Sequence, residues 1–150
     1  MSPRGLVTIL LLAFVAVSLG VLVAREVAPQ RAADPALPAD GIVLYYFHGP
    51  ERCPTCERLE AACRRAVGIV AAERNPSPPP RVESVNFLDP ANESLRETFD
   101  VGALSVALAE IEDGRVKRGR RLDGLWDVIG DADALADYVA DELRRFLEGR

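Results

Sequence analysis

The chain has 150 residues, three cysteines, one histidine and a net charge of −5 at pH 7. This length accommodates one domain of ordinary size beside an N-terminal segment, and the negative charge argues against nucleic acid as a partner. The sequence contains no glycine-rich phosphate loop, no Ser/His/Asp set and no flavin or nicotinamide fingerprint, which leaves thiol and metal chemistry as the candidates.

The N-terminal segment predicts a membrane anchor. No charged residue occurs from Gly5 to Ala24, and about 20 such residues match the hydrocarbon core of a bilayer. Arg4 favours residues 1–4 in the cytoplasm and the rest of the chain outside. Residues 5–24 are therefore predicted to be a transmembrane anchor or uncleaved signal; a cleaved signal peptide, with sites at Ala16–Ser18 or Ser18–Gly20, is the alternative. In both cases we expect export across the bacterial cytoplasmic membrane. The anchored form is a single-pass protein whose domain faces the periplasm or the cell exterior.

A linker, a strand and a helix follow the anchor. Residues 25–41 are rich in alanine and proline, which is typical of a tether. The continuous apolar run Ile42–Phe47 predicts a strand that is buried on both faces, at the centre of a sheet. After a loop at 48–52, apolar residues at three- and four-residue spacing predict a helix over Glu57–Ala72, with Cys63 on its buried face.

The remaining elements complete one domain over residues 42–148. They are a loop at 75–80, a strand over Val82–Leu88, a helix over Asn92–Phe99, a return to the sheet at Val101–Leu104, a hairpin of Val106–Ile111 and Val116–Leu122 around Asp113-Gly114, a helical turn over Leu125–Ile129, and a final helix capped by Asp131 or Asp133. This order predicts an α/β domain with a mixed sheet and helices on both faces. We expect Phe99 and Trp126 to lie in its core.

The segment Cys53-Pro54-Thr55-Cys56 joins the first strand to the first helix. Two cysteines at this spacing, opening a helix, are typical of a dithiol redox site. The N-terminus of a helix favours the reactive thiolate, and Pro54 fits the first turn because no N–H is needed there. We expect Cys53 to be the exposed nucleophile and Cys56 the resolving thiol. Since disulfides persist outside the cytoplasm, a purely structural pair is the alternative.

Three further side chains are candidates for a role beside the dithiol. His48 could stabilise the Cys53 thiolate, relay a proton or bind a metal, or it could be an ordinary polar loop residue. Arg52 could stabilise the thiolate by its charge or simply be exposed. Cys63 is predicted to be a small buried residue, but with His48, Cys53 and Cys56 it would complete a nitrogen and sulfur set suited to zinc or another thiophilic metal.

The order of elements, with a dithiol opening the first helix, resembles the thioredoxin-like superfamily over about Ile42 to Leu147. Further matching segments are Val85-Asn86-Phe87-Leu88-Asp89, Phe99-Asp100-Val101-Gly102 and the hairpin at Asp113-Gly114. The resemblance implies a three-layer fold with a mixed four-stranded sheet and flanking helices. It also implies that Glu60 could accept a proton beneath the dithiol, as buried acids do in thioredoxins. Its spacing from Arg64 instead favours a solvated ion pair.

The sequence is more closely similar to a small exported thioredoxin-like family known as the nitrophenyl compound nitroreductase subunit, ArsF type. The shared segments are Tyr45-Tyr46-Phe47-His48-Gly49, Arg52-Cys53-Pro54-Thr55-Cys56 with Glu60, Val85-Asn86, Ser105-Val106, and Leu122-Asp123, Trp126 and Gly130-Asp131. The resemblance implies a dithiol electron carrier that serves another subunit. The resemblance also implies that the carrier needs no cofactor beyond its redox-active disulfide. Its partner would be a redox protein outside the cytoplasm.

One departure from thioredoxins concerns the segment that faces the dithiol. Thioredoxins have a cis-proline there, preceded by Thr or Ser, whereas this chain has Ser105-Val106. A cis bond before valine costs about 2.5–4 kcal/mol, so we expect a trans bond. Because that proline is thought to keep metals off the thiols, its absence favours the alternative of a thiolate protein that binds a metal or metalloid. An interaction subunit with an incidental dithiol is the third possibility.

Overall fold

A computed structural model describes residues 39–149 of the chain. The predicted cytoplasmic N-terminus, anchor and most of the linker (residues 1–4, 5–24 and 25–41) lie outside the described residues. Within residues 39–149, no helix is long and apolar enough to cross a membrane. The elements, in chain order, are β1 (Gly41–His48), α1 (Pro54–Arg74), β2 (Arg81–Asn86), a 3₁₀ turn (Pro90–Asn92), α2 (Glu93–Thr98), β3 (Ser105–Glu112), β4 (Arg115–Arg121), α3 (Leu125–Val128) and α4 (Ala132–Glu148).

The four strands form one mixed sheet in the order β2-β1-β3-β4. β1 is parallel to β2 and antiparallel to β3, and β3 and β4 form an antiparallel hairpin. Because β1 is central and covered on both faces, its first seven residues are all buried, which explains why the run is apolar throughout instead of alternating. The predicted α/β class and mixed four-stranded sheet are confirmed.

Each face of the sheet has its own apolar core. On one face, Ile42, Leu44 and Tyr46 of β1 pack with residues of α1 and α4. On the other face, the alternate residues of β1 pack with side chains from α2 and the segment after it; this second core contains Val43, Tyr45, Phe47, Leu95, Phe99 and Val101. Helices therefore flank both faces, as the sequence predicts, and Phe99 lies in the core.

Two strand predictions need correction. β2 ends at Asn86, before the predicted Leu88, because the Asn86 side chain accepts the Leu88 N–H at 3.1 Å and turns the chain. Residues 101–104 do not return to the sheet. The Val101 N–H donates to the Arg96 carbonyl at 2.9 Å, which holds this segment against the end of α2. β3 consequently begins at Ser105.

The prediction that Trp126 lies in the core is wrong, since 51% of its surface is exposed. α3 is only four residues long and buries Leu125 alone. A single helical turn presents one side to the core, so the adjacent Trp126 is directed outward.

Two glycines provide a matched test of the packing over β4. An alanine Cβ at Gly119 would lie 2.6 Å from Phe99 Cε1 and 3.1 Å from the Leu108 carbonyl oxygen, whereas one at the exposed Gly68 of α1 would meet nothing within 4 Å. We expect Gly119→Ala to lower the free energy of unfolding by about 1–3 kcal/mol through overpacking. Gly68→Ala should raise it by about 0.5–1 kcal/mol through helix propensity. Equal effects in urea denaturation would contradict the proposed Phe99–β4 packing.

Candidate dithiol site

Cys53 and Cys56 lie together at the start of α1. Cys53 is the N-cap residue with an extended backbone, and its sulfur accepts the Cys56 N–H at 3.2 Å. The two sulfur atoms are at disulfide-bonding distance and the two Cα atoms are 5.0 Å apart. Cys53 is exposed, whereas Cys56 keeps only 6% of its surface. One cysteine of the pair is therefore exposed and the other is buried.

β1 brings His48 to the same side of the sheet as α1. The His48 ring stacks on the ring of Tyr46, with the centroids 5.4 Å apart, as expected for residues two apart on a strand, which share one face. His48 Nδ1 donates to the Gly49 carbonyl at 2.6 Å, because a carbonyl can only accept. In the neutral ring, Nε2 then carries no hydrogen and can accept a hydrogen bond.

Tyr46 ties the first turn of α1 to the central strand, a role that the sequence analysis missed. Its buried hydroxyl donates to the Cys56 carbonyl at 2.9 Å. Burial raises the pKa of Tyr46 to about 12, so the hydroxyl keeps its proton at neutral pH. Tyr46 and His48 are two residues apart on a strand, so the sequence does indicate that they share one face. The uniformly apolar run hides this alternation.

Glu60 is bound by two arginines. Arg64 Nη2 lies 2.8 Å from the carboxylate and Arg52 contacts its other oxygen. The hydrogen bond from Arg64, followed by the one from Arg52, holds the pKa of Glu60 below its usual range. The predicted pairing with Arg64 is confirmed, but the Glu60 side chain is only 14% exposed and is therefore less solvated than expected. The link from Arg52 across to α1 was not anticipated.

Cys63 is fully buried in the core between the sheet and α1. It lies about two helical turns from Cys56, and burial raises the pKa of its thiol to about 12. Among residues 39–149, no three His, Cys, Asp or Glu side chains are grouped so that they could hold a metal ion. The structure thus does not bring His48, Cys53, Cys56 and Cys63 together as one ligand set.

Ser105 and Val106 begin β3, beside the end of β1 that leads to the dithiol. Ser105 pairs with Phe47 in the sheet, and its hydroxyl donates to the Ala103 carbonyl at 2.9 Å. Val106 is fully buried and belongs to the same core as Cys56. The bond between them is trans, as expected; the cis peptide bond found within the described chain precedes Pro78.

Two large apolar side chains are exposed near this end of the sheet. Leu88 is 60% exposed and Trp126 is 51% exposed. Leu88 follows β2, whose last residue pairs with His48. Trp126 follows the end of β4, where the Leu122 N–H donates to the Val106 carbonyl at 2.8 Å. Leu88 and Trp126 therefore both follow strand ends at the end of the sheet where β1 leads to the cysteines.

Comparison with known proteins adds no further identification: no family model matches the chain, and no similar sequence is found among curated proteins. The chemistry must therefore be inferred from the residues themselves. An exposed cysteine at a helix N-terminus, paired with a buried cysteine in the first turn, is compatible with a Cys-x-x-Cys redox motif.

Removing the Tyr46 hydroxyl tests its hydrogen bond to Cys56. We expect Tyr46→Phe to lower the free energy of unfolding by about 1 kcal/mol, because a buried hydrogen bond is lost. Tyr45→Phe is the matched control, since the buried Tyr45 hydroxyl has no hydrogen-bond partner within the described residues. That change should be neutral or stabilising. If urea denaturation shows equal losses for the two variants, the Tyr46 hydrogen bond contributes nothing specific.

The buried Cys63 thiol makes stability depend on alkaline pH. Burial raises its pKa from 9.0 to about 12, so the unfolded chain releases this proton first. The stabilisation is complete below pH 9 and is lost as pH rises from about 9 to about 12, by at most about 1.4 kcal/mol per pH unit. Cys63→Ala should flatten the slope of unfolding free energy between pH 9 and 10, where the contribution of the tyrosines is the same in both proteins. Parallel curves for the two proteins would contradict this assignment.

Proposed function

We propose that the protein is a membrane-anchored, thioredoxin-like protein outside the cytoplasm, whose Cys53–Cys56 pair cycles between dithiol and disulfide. The observation that carries the proposal is the unequal exposure of two cysteines whose sulfurs are at bonding distance: Cys53 is exposed at the helix N-terminus and Cys56 is buried. A purely structural disulfide does not require this arrangement. The N-terminal run of residues 5–24 and the linker support anchoring and export.

The exchange transfers two electrons between the dithiol and a partner disulfide. The Cys53 thiolate attacks a partner disulfide, forms a mixed disulfide and releases the first partner thiolate. The Cys56 thiol then loses its proton and attacks Cys53 Sγ, which forms the Cys53–Cys56 disulfide and releases the second partner thiolate. Two electrons pass to the partner, whose two thiolates take up the two protons. The reverse sequence reduces the Cys53–Cys56 disulfide at the expense of a partner dithiol.

Several features support a thioredoxin-like assignment. β1 and β2 are parallel strands connected through α1, β3 and β4 form a hairpin, and the cysteines occupy the start of the helix after the central strand. Exposed Leu88 and Trp126 support contact with a protein partner at the same edge. With no flavin or nicotinamide fingerprint in the sequence, we propose that the dithiol delivers electrons to or from a partner, such as another subunit of a nitroreductase-type assembly.

The decisive experiment counts thiols as a function of redox potential. The full chain, purified without reductant or chelator, is equilibrated in glutathione buffers, unfolded, alkylated with a maleimide and weighed. We expect one reactive thiol, from Cys63, in the oxidised form and three after reduction. The midpoint should lie above about −300 mV, because structural disulfides fall below that value.

Single-cysteine variants identify the residues responsible. Cys63→Ser should retain the transition, with no thiol before reduction and two after it, whereas Cys53→Ser and Cys56→Ser should abolish it. A midpoint below about −300 mV would indicate a structural disulfide instead. A native mass that is heavier by one metal ion, which acid removes, would favour the thiolate metal-binding function over electron transfer if the disulfide forms only in the apoprotein.

A further inference from the structure

An ion pair spans the loop before the dithiol and the helix after it. Arg52 immediately precedes Cys53, and its guanidinium contacts Glu60, about two turns along α1. The charges of Arg52 and Glu60 both act on the Tyr46 hydroxyl, which itself donates to the Cys56 carbonyl. Cys53, Cys56 and Glu60 are three and four residues apart, so the ion pair lies on the side of α1 that carries the cysteines.

The two arginines on Glu60 are not equivalent. Arg64 is one turn along the same helix and binds the carboxylate at 2.8 Å, whereas Arg52 reaches it from the loop and is 45% exposed. One carboxylate between two guanidiniums leaves one positive charge in excess. If Arg52 moves away, Glu60 remains paired with Arg64, so the movement leaves no unpaired carboxylate. A neutral disulfide makes no demand on this excess charge, but a Cys53 thiolate beside Arg52 does.

We propose that Glu60 is a positioning residue for Arg52 and that its hold depends on the redox state: Glu60 binds Arg52 in the disulfide form and releases it to the Cys53 thiolate in the dithiol form. The inference rests on the proposed redox function and adds a named charge to it. Glu60 acts through Arg52 and touches no reacting atom. Its effect is to weaken the attraction between Arg52 and the thiolate, which keeps the dithiol form less favoured than an unopposed arginine would make it.

The other titratable groups around the ion pair do not duplicate this effect. Tyr46, from β1, and Cys63, on the buried side of α1, have pKa values raised by burial to about 12, so both remain neutral in the range of the experiment. His48, also from β1, is stacked on Tyr46 and is unchanged in every variant compared. Differences among variants at Arg52, Glu60 and Arg64 therefore report on these three charges.

A double-mutant cycle on the full chain tests the inference. After reduction with dithiothreitol and its removal, the rate of Cys53 alkylation by iodoacetamide is measured against pH and its midpoint determined. Arg52→Gln should move the midpoint up by about one pH unit, and Glu60→Gln should move it down by about one unit. In the Arg52→Gln background, Glu60→Gln should have less than about half that effect, because no Arg52 remains to be released.

The equilibrium with glutathione provides a second readout. Glu60→Gln should shift it towards the dithiol by about three- to tenfold at pH 7, because a more stable thiolate favours the reduced form. Arg64→Gln should shift it in the opposite direction, since Glu60 then depends on Arg52 alone. Arg65→Gln is the matched control on the same helix: Arg65 pairs with the exposed Asp133 and should leave both readouts unchanged.

Defined results would overturn the inference. A Glu60→Gln shift of equal size with and without Arg52 would mean that the carboxylate acts directly on the thiol. Unchanged midpoints for both single variants would mean that the ion pair is only structural. In either case the wild-type dithiol still cycles between its two redox states. If instead no reducible disulfide is found, the proposed function itself is wrong, so the two failures can be told apart. Thermal unfolding of each variant checks the fold, and the exposed Arg52 provides an informative variant should Glu60→Gln be destabilised.

Discussion

The burial of β1 on both faces is the constraint on which the rest of the described structure depends. Its first seven residues are buried, and it pairs with β2 on one edge and β3 on the other. Such a strand has to leave the sheet at a defined point, and the chain emerges at His48 with α1 beginning a few residues later. The dithiol position is therefore a consequence of the sheet. The Tyr46 hydroxyl reinforces it by binding the Cys56 carbonyl directly.

The same helix N-terminus serves both structure and chemistry. The first turn of any helix has backbone N–H groups without intrahelical acceptors. Here the Cys53 sulfur occupies the capping position and accepts the Cys56 N–H. The partial positive charge that makes this cap favourable also stabilises a thiolate at the same atom. A sulfur in this position is a better hydrogen-bond acceptor when it is ionised.

The sequence predicts the elements of this fold well because their signals are strong and local. The apolar run of β1, the turn at Asp113-Gly114 and the capping candidates Asp131 and Asp133 each specify an element without reference to distant residues, and Asp131 is the residue that caps α4. The errors have two causes, one in a local side-chain contact and one in the packing of α3. Asn86 ends β2 through its own side chain, and Trp126 is exposed because α3 buries only Leu125. The Cys53–Cys56 pair could be read from spacing, but the contact between Arg52 and Glu60 could not, because its geometry depends on the path of the loop.

In this site the neutral polar groups lie in the core, and the charged groups lie nearer the surface. Tyr46 and Cys63 lie in the core, where desolvation keeps both protonated, while Glu60 lies near the boundary with a guanidinium on each carboxylate oxygen. Ionising a group in the core would carry a large desolvation cost, whereas changing charge at the boundary requires only that an arginine exchange partners. The thiol that begins the exchange as a stable thiolate therefore has to be at the boundary. Cys53 meets that condition, and Cys63, although it is chemically identical, does not.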